Sequence, residues 1–298
     1  MSYLWHLLIY LGVYTIVAVS LNLIVGYCGL LSLAHASFFA LGGYVYGLAT
    51  LTLKWGFVEA TFLAILIAVV LSLMVSIPAW RFKGNFFVLV SLAVQALLFG
   101  AFYNWYGDAP IGTLQNLTNG TFGLSGVSKP VLLGWQLQQT SSIVGLTWFL
   151  TLLCVGISWL LLGSPWGRLL RSLRDDELVT RGLGKNTRWL KTQAFAIACG
   201  MVALAGAILT SYIGFIDPSA AALDESILML SMVLVGGVGN FRGPLVGAFI
   251  LLAIPEILRF VQIPDAIAAN VRLILYGVSL LLVIHLRPEG VAGKYRLE

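Results

Sequence analysis

Charged side chains are scarce in this 298-residue chain. Only 10% of the residues are Asp, Glu, Lys or Arg, whereas 59% are hydrophobic, and the mean hydropathy is +0.96. Soluble domains carry about 25% charged residues, so the composition excludes a soluble domain and indicates an integral membrane protein. The net charge of +5 is explained by basic loops on the cytoplasmic side of a membrane and requires no nucleic-acid partner.

Residues that would form a metal site, a disulfide framework or a catalytic centre are also few. The three cysteines lie in apolar segments at no metal-binding spacing, and they are Cys28, Cys154 and Cys199. An odd, buried set argues against a disulfide framework. No Ser/His/Asp or Cys/His set and no pair of catalytic carboxylates can be recognised. The sequence therefore predicts that the chain is not an enzyme and holds no metal or cofactor.

One segment, 184–187 (GKNT), resembles the end of a phosphate-binding loop. The full motif requires Gly five residues before the Gly that precedes Lys, but Val179 stands there. Asn186 also replaces the Ser or Thr that follows Lys in the motif. We therefore predict that the chain has no nucleotide site of its own.

No Lys or Arg precedes Lys54, so the charged region of a cleaved signal peptide is missing and the first apolar segment is expected to be a retained span. A spanning helix needs about 20 apolar residues. This criterion predicts an all-α polytopic membrane protein that forms a single transmembrane domain over residues 1–298. Nine spans are the simplest count, and a break within 22–43 widens the range to eight to ten. The predicted spans are 5–25, 30–51, 60–80, 86–104, 143–163, 192–214, 225–240, 243–258 and 271–286.

Basic residues indicate how the chain is oriented, because short loops rich in Lys and Arg stay on the cytoplasmic side. The segment 164–191 and the tail from Arg287 to Arg296 are both basic. Both are therefore predicted to be cytoplasmic, and the number of spans between them agrees with this. The N-terminus and the long polar segment 105–142 then face the opposite side.

The basic segment 164–191 carries seven Lys and Arg residues around the acidic triplet 175–177. Ser164 and Pro165 are typical of a helix start, and Gly182 and Gly184 of a helix end. Apolar residues at helical spacing oppose a basic face, which predicts a short amphipathic helix at the membrane surface. A connector that only sets topology would explain the basic residues equally well. It would not require three adjacent acids, and these favour a docking surface for a partner.

Small and polar residues interrupt the apolar run between Gly26 and Ser37. Irregular backbone within a membrane survives only where it is buried in protein or lines a cavity. Close helix packing through small residues is the alternative. For His35 we favour a buried, hydrogen-bonded structural role over a contact with substrate. Gly236-x-x-Gly239 repeats the spacing of Gly26-x-x-Gly29, which is compatible with two repeated halves, although glycine is abundant and chance is the alternative.

The predicted spans contain almost no ionisable residues, whereas ion-driven carriers usually need a carboxylate or a proton relay in the bilayer. Energy for transport against a gradient would then have to enter from another polypeptide through the segment 164–191. The path would be lined by uncharged polar groups, which suits a neutral or zwitterionic solute. The residues that we predict to line it are Asn22, Ser32, His35, Ser37 and Gln95.

Seven segments, in order, resemble the permeases of branched-chain and wider neutral amino-acid ABC importers, and most closely the LivM-type subunit. They are 21–44, 82–95, 118–127, 167–184, 205–219, 234–249 and 270–290. The resemblance implies a fold of the type II importer kind with two related halves, located in the bacterial inner membrane. It also implies four kinds of contact: a LivH-type second permease, two cytoplasmic ATPases that bind the ATP, an extracytoplasmic substrate-binding protein, and membrane lipid.

Within the segment 167–184, the residues that match the family's ATPase-docking region are Arg174, Asp175, Asp176, Glu177 and Gly182. The sequence departs from the family pattern at 180–181 (Thr-Arg) and at 84–86 (Gly-Asn-Phe), so the solute stays open. Urea permeases share the pattern, so urea or a short amide is an alternative cargo. A channel or facilitator without ATPases, and an assembly subunit without a path, are alternatives outside the class.

Overall fold

A computed structural model describes residues 2–79, 86–132, 135–260, 271, 274–279, 281, 282, 285, 290 and 291. Ten α-helices precede residue 261: α1 (Ser2–Asn22), α2 (His35–Thr52), α3 (Phe57–Ala79), α4 (Phe86–Asn104), α5 (Thr140–Gly163), α6 (Pro165–Asp175), α7 (Glu177–Gly182), α8 (Thr187–Ile213), α9 (Leu223–Gly236) and α10 (Gly243–Phe260). The described residues between 271 and 285 are helical too. The prediction of an all-α polytopic protein is confirmed.

Among the described residues, five helical segments are long and apolar enough to cross a membrane: Tyr3–Tyr27, Phe57–Ser76, Phe87–Asn104, Thr140–Gly163 and Thr187–Ile213. Each corresponds to a predicted span. The span predicted over 243–258 corresponds to α10, Gly243–Phe260, whereas two others differ from the observed helices. The span predicted to start at residue 30 begins at His35, and the one predicted over 225–240 is the 14-residue helix α9. Much of the last predicted span, 271–286, lies outside the described residues. The total of eight to ten membrane spans therefore stays a prediction.

The helices form a buried centre and a more exposed periphery. In α8, 89% of the most apolar stretch is buried, against 22% in α4. Helices α1 and α2 are likewise largely buried, whereas α3 and α5 are largely exposed. In a membrane protein this pattern places α1, α2 and α8 inside the bundle and leaves α3, α4 and α5 facing lipid or a partner subunit.

Helices α2 and α8 approach each other closely because small residues line their contact. A Cβ atom at Gly42 would collide with the backbone of Ala203, and one at Gly206 would collide with the carbonyl oxygen of Phe39. The predicted span 192–214 is rich in alanine and glycine, a composition that favours close helix packing, and the contact between α2 and α8 agrees with this. Close backbone approach lets dispersion forces stabilise the pair where the hydrophobic effect is weak.

Helix α1 ends in a π-helical turn, Leu23–Tyr27, which is followed by irregular backbone up to His35. Gly29 has a φ of 71°, in the left-handed region that glycine adopts without steric penalty. This is the break that the sequence indicated within 22–43. A second turn, between α9 and α10, contains Gly237 at a φ of 113° and Gly239 at 73°.

A long connection, residues 105–139, joins α4 to α5 at the end opposite the basic segment. Its strand β1 (Leu124–Ser125) pairs antiparallel with β4 (Phe215–Ile216), which follows α8. Strands β2 (Val131–Leu132) and β3 (Trp135–Gln136) pair with each other. Two short 3₁₀ turns, Gly120–Phe122 and Pro218–Ala221, complete this end. The β1–β4 pair ties the connection to the end of the central helix α8.

Candidate functional site

The basic segment 164–191 folds into α6, α7 and the start of α8. Leu170 and Leu173 are 0% and 3% exposed, whereas Arg168 and Arg171 are exposed. The predicted amphipathic helix is therefore present as α6. Ser164 does not cap it as expected: its hydroxyl donates to the carbonyl oxygen of Leu161 at 2.6 Å, at the end of α5.

Asp176 divides the segment into two helices. Its backbone is extended, and its Oδ1 accepts from the amides of Leu178 at 2.7 Å and Val179 at 3.1 Å. A side-chain oxygen in this position satisfies amides that have no partner within the helix. Asp176 is therefore the N-cap of α7, which the sequence did not predict.

Glu177 is the centre of a small polar network. Its carboxylate accepts hydrogen bonds from Arg181 at 2.7 Å, Thr187 at 3.0 Å and Lys191 at 2.8 Å. Burial of the carboxylate by itself would raise the pKa of Glu177. The pKa is nevertheless held below its usual value, because the hydrogen bond and charge of Lys191, the hydrogen bond of Thr187 and the charge of Arg181 all favour the ionised form. The network joins α7 to the first turn of α8.

Arg174 connects the segment to the break after α1. Its Nη1 donates to the carbonyl oxygen of Gly26 at 2.6 Å, and its Nε and Nη2 each lie 3.1 Å from Oδ1 of Asp175. The Arg174 side chain is 13% exposed and that of Asp175 is 56% exposed. A guanidinium spans a carboxylate and a backbone carbonyl well because its N–H groups form a rigid, planar fork.

The acidic triplet therefore serves contacts within the chain. Asp175 pairs with Arg174, Asp176 caps α7, and Glu177 binds Arg181 and Lys191. The sequence favoured a partner as the reason for these acids. The exposed residues of α7 and its C-cap include three apolar ones, Leu178 (76% exposed), Val179 (57%) and Leu183 (68%). Sequence reasoning missed these three residues, although apolar side chains within a charged loop were a usable signal.

Gly182, the last of the five residues predicted to couple to an ATPase, is the final residue of α7. No described atom beyond the local backbone lies within 4 Å of the position that its Cβ would take. Gly184 follows at a φ of 75°, which ends the helix as the sequence predicted. Asn186 then caps α8, because its Oδ1 accepts from the amide of Trp189 at 3.1 Å. The GKNT residues thus form the junction between α7 and α8.

Asn22 joins the two glycine-rich breaks. Its Oδ1 accepts from the amide of Gly239 at 3.1 Å, and its Nδ2 donates to the carbonyl oxygen of Asn240 at 3.1 Å. A Cβ atom at Gly26 would meet both the Asn22 side chain and the Gly239 amide. The Gly26-x-x-Gly29 and Gly236-x-x-Gly239 motifs are therefore in direct contact.

The other residues predicted to line a path lie around the start of α2. Ser37 donates to the carbonyl oxygen of Gln95 at 3.3 Å, and Gln95 Nε2 donates to the carbonyl oxygen of Ala221 at 2.8 Å. His35 Nε2 lies 2.8 Å from the Ser20 hydroxyl, and Ser32 Oγ accepts from the Ala34 amide at 3.4 Å. These four residues and Asn22 are the five that the sequence predicted to line a path, and each is at most 5% exposed.

Two further serines, which the sequence analysis did not single out, belong to this group. Ser91 Oγ accepts from the Leu33 amide at 3.0 Å, and Ser226 Oγ accepts from the Ala36 amide at 3.3 Å. These bonds satisfy backbone amides at and before the first turn of α2, where no helical carbonyl is available. The polar cluster of α2 thus draws on α1, α4, α9 and the turn Pro218–Ala221.

Comparisons with known proteins place this geometry in context. Residues 3–284 match the family described as the permease component of branched-chain amino acid transport systems. The Escherichia coli (strain K12) high-affinity branched-chain amino acid permease LivM is 28% identical over 94% of this chain and 67% of its own length. A probable LivM of Methanocaldococcus jannaschii is 24% identical over 96% and 92%. The autoinducer 2 import permease LsrC of Salmonella choleraesuis is 31% identical over 79% and 62%. No solved structure matches the chain significantly.

Proposed function

This chain belongs to the family of permease components of branched-chain amino acid transport systems, and from that membership we propose that it forms the translocation path of an ABC importer together with a second permease. Branched-chain or other neutral amino acids are the proposed solutes. Separate ATPase subunits supply the energy, and an extracytoplasmic binding protein delivers the solute. The chain itself is a multi-pass membrane permease and a transport subunit.

The observation that carries the proposal is the contact of Arg174 with the carbonyl oxygen of Gly26. Gly26 packs against Asn22, and Asn22 bonds to the turn at Gly239 and Asn240. The Arg174 side chain is therefore connected through these contacts to both breaks in the bundle. A displacement of α6 and α7 by an ATPase would therefore act on the irregular backbone that precedes α2 and on the turn that precedes α10. Packed helices respond to such displacements by switching between discrete arrangements.

The contact surfaces are proposed from exposure and charge. The exposed apolar residues of α7 and the cations around them suit an ATPase, with Arg174, Asp175, Asp176, Glu177 and Gly182 forming and shaping the coupling segment. At the opposite end, Leu114 is 85% exposed, Trp135 81% and Phe122 69%. Large exposed apolar side chains on a surface loop are typical of a protein-binding site. We assign this loop, 105–139, to the binding protein.

The solute assignment is supported by the uncharged character of the polar cluster at the start of α2. Ser37, Gln95 and His35 are held there by hydrogen bonds to other parts of the chain. Such a cluster carries no fixed charge that would hold an oppositely charged solute. It therefore suits a neutral or zwitterionic solute. Urea and short amides are compatible for the same reason and stay the alternative cargo. One relative, LsrC, is named for the import of a different solute, autoinducer 2.

Reconstitution tests the proposal. The chain is purified in mild detergent with everything that accompanies it and is placed in liposomes with ATP inside or outside. An importer takes up leucine or valine only when ATP is on the ATPase side and the binding protein is present. Equilibrative flux by the purified chain alone would establish the facilitator alternative instead. Uptake of urea but not of leucine would change the cargo and leave the mechanism intact.

A further inference from the structure

A cavity of about 510 Å³ lies at the basic end of α5. Its wall is mostly apolar and aromatic, from Trp159 and Leu160 of α5, Tyr27 of the π-helical turn and Phe241 of the turn before α10. One cation, Arg171 of α6, also lines it. The volume falls in the range of small-molecule binding pockets, roughly 300–1,000 Å³. The five predicted coupling residues and the polar cluster of α2 do not line this cavity.

Arg171 brings a positive charge to the wall of the cavity. Its Nη2 donates to the carbonyl oxygen of Leu162 at 3.1 Å, and its Cζ lies 5.5 Å from the centre of the Tyr27 ring. In the part of the chain that the structure describes, no carboxylate pairs with Arg171, since the acids of the segment bind Arg174, Arg181 and Lys191. These contacts fix the guanidinium in place and leave N–H groups for an anion. Guanidinium groups bind phosphate oxygens through paired hydrogen bonds.

The cavity continues into an apolar stripe along α5. The exposed residues of this stripe recur at helical spacing, and they are Phe149, Leu152, Leu153, Ile157 and Leu160. From Phe149 to Leu160 the helix rises roughly 16 Å at about 1.5 Å per residue. The hydrocarbon core of a bilayer is about 30 Å thick, so the stripe matches the acyl region of one leaflet. Trp159 stands at its basic end, where aromatic residues contact head groups.

We propose that this cavity binds an anionic phospholipid, with the head-group phosphate on Arg171 and an acyl chain along the α5 stripe. A cation at the head-group level and an apolar surface one leaflet long together match that ligand class. A soluble anion would use only the cation, and an acidic protein segment would leave the stripe bare. The site requires only that the chain spans a membrane, so its failure would leave the proposed transport function untouched.

Native mass spectrometry of the full chain tests the site. The protein is purified in detergent, stripped of lipid, and exposed to phosphatidylglycerol or phosphatidylcholine. Wild-type protein is expected to retain phosphatidylglycerol preferentially. Arg171→Gln should reduce that retention by about fivefold or more and should affect phosphatidylcholine less, because the choline ammonium group neutralises the charge of its phosphate. Glycerol 1-phosphate, which has the phosphate but no acyl chains, should not displace the bound lipid.

The matched control is Arg168→Gln, an exposed cation of α6 that does not line the cavity. Equal losses in the two variants would mean a general surface effect and would overturn the proposal. Because Arg171 also holds the Leu162 carbonyl, Phe241→Ala provides a second variant that keeps the charge. It should lower retention of both lipids, and unchanged retention would contradict the site. A photoreactive residue at position 160 should label lipid in cells; a discrete protein adduct there would assign the cavity to a partner subunit.

Discussion

Arg174 of α6 donates a hydrogen bond from Nη1 to the carbonyl oxygen of Gly26 at 2.6 Å, across 148 residues of sequence. Gly26 itself is packed against the Asn22 side chain and the amide of Gly239, so closely that a Cβ atom would not fit. Three interrupted parts of the chain therefore meet at one point: the end of α1, the turn before α10 and the basic segment. There the side chains of Arg174 and Asn22 bind backbone groups of the two breaks.

Substituting Arg174 should uncouple transport from ATP hydrolysis. In Arg174→Gln the carbonyl oxygen of Gly26 loses a charge-assisted hydrogen bond, which is worth about 1.5–3 kcal/mol. We expect ATP-dependent uptake by the reconstituted complex to fall about tenfold or more while its ATPase activity remains. Arg168→Gln, on the exposed face of the same helix, should behave like wild type. Parallel loss of hydrolysis and uptake would mean that Arg174 only holds the ATPase.

Removing the N-cap of α7 should loosen that helix specifically. Asp176→Ala leaves the amides of Leu178 and Val179 without their acceptor, at a cost of about 1 kcal/mol. Hydrogen exchange of the α7 amides should become about fivefold faster, because a local opening equilibrium shifts by that free energy. Asp175→Ala, whose carboxylate is largely exposed and caps no helix, should change α7 exchange little. Equal acceleration in both variants would contradict a cap.

The Glu177 network should stabilise the segment only where its carboxylate is ionised. The pKa of Glu177 is held below its ordinary value of 4.5, so its stabilising effect is fully present above that pH and is lost as the pH falls through the lower, folded-state value. Glu177→Gln should therefore lower the melting temperature by about 1–3 °C near neutral pH. The difference between variant and wild type should shrink below pH 4.5. A difference that is constant across this range would show that ionisation is irrelevant.

The contact between α2 and α8 should tolerate no added methyl group at Gly42. In Gly42→Ala the new Cβ would collide with the backbone of Ala203, and overpacking of this kind costs about 1–3 kcal/mol. We expect a lower melting temperature and reduced yield in the membrane. Gly145→Ala in α5 is the matched control, since no described atom beyond the local backbone of α5 lies within 4 Å of the added Cβ. It should be neutral or slightly stabilising, because Ala favours helix by about 0.5–1 kcal/mol.

The exposed loop opposite the basic segment should matter for delivery of solute. Phe122 is 69% exposed next to the β1–β4 pair, so Phe122→Ser removes an apolar contact without disturbing the core. We expect uptake from the binding protein to fall several-fold, as for an interface residue worth about 1 kcal/mol. ATPase activity without the binding protein should be unchanged. Normal delivery in this variant, and in others across 120–127, would remove the loop from the docking site.

Several features of the fold follow directly from the sequence because they depend on composition and short-range pattern. Apolar runs of about 20 residues predicted the five long spans, and the small residues of 192–214 predicted the packing of α8. Helix ends were predicted less well. Helix α9 stops at Gly236 and α2 starts only at His35, because side chains satisfy amides of the non-helical backbone: Asn22 accepts from Gly239 and Ser91 accepts from Leu33.

The predicted site residues illustrate the same division. The sequence selected the acidic triplet and the polar residues around His35, but their partners lie up to 218 residues away, as for Asn22 and Asn240. Whether Ser32, His35, Ser37 and Gln95 line a path stays a prediction, since each is buried within this chain. His35 is bonded to Ser20, in agreement with the structural role that we favoured from the sequence.

The sequence by itself determined that the chain crosses a membrane several times, that its densest group of charged residues lies in one short segment, and that its central helix packs through small side chains. These properties follow from local composition, since transfer of each residue between water and lipid depends little on distant neighbours. Only the tertiary structure decided that Arg174, Gly26, Asn22 and Gly239 meet at one point and that the acidic triplet serves the chain's own helices. Hydrogen bonds depend on distance and direction between specific atoms, and those are set when the helices pack.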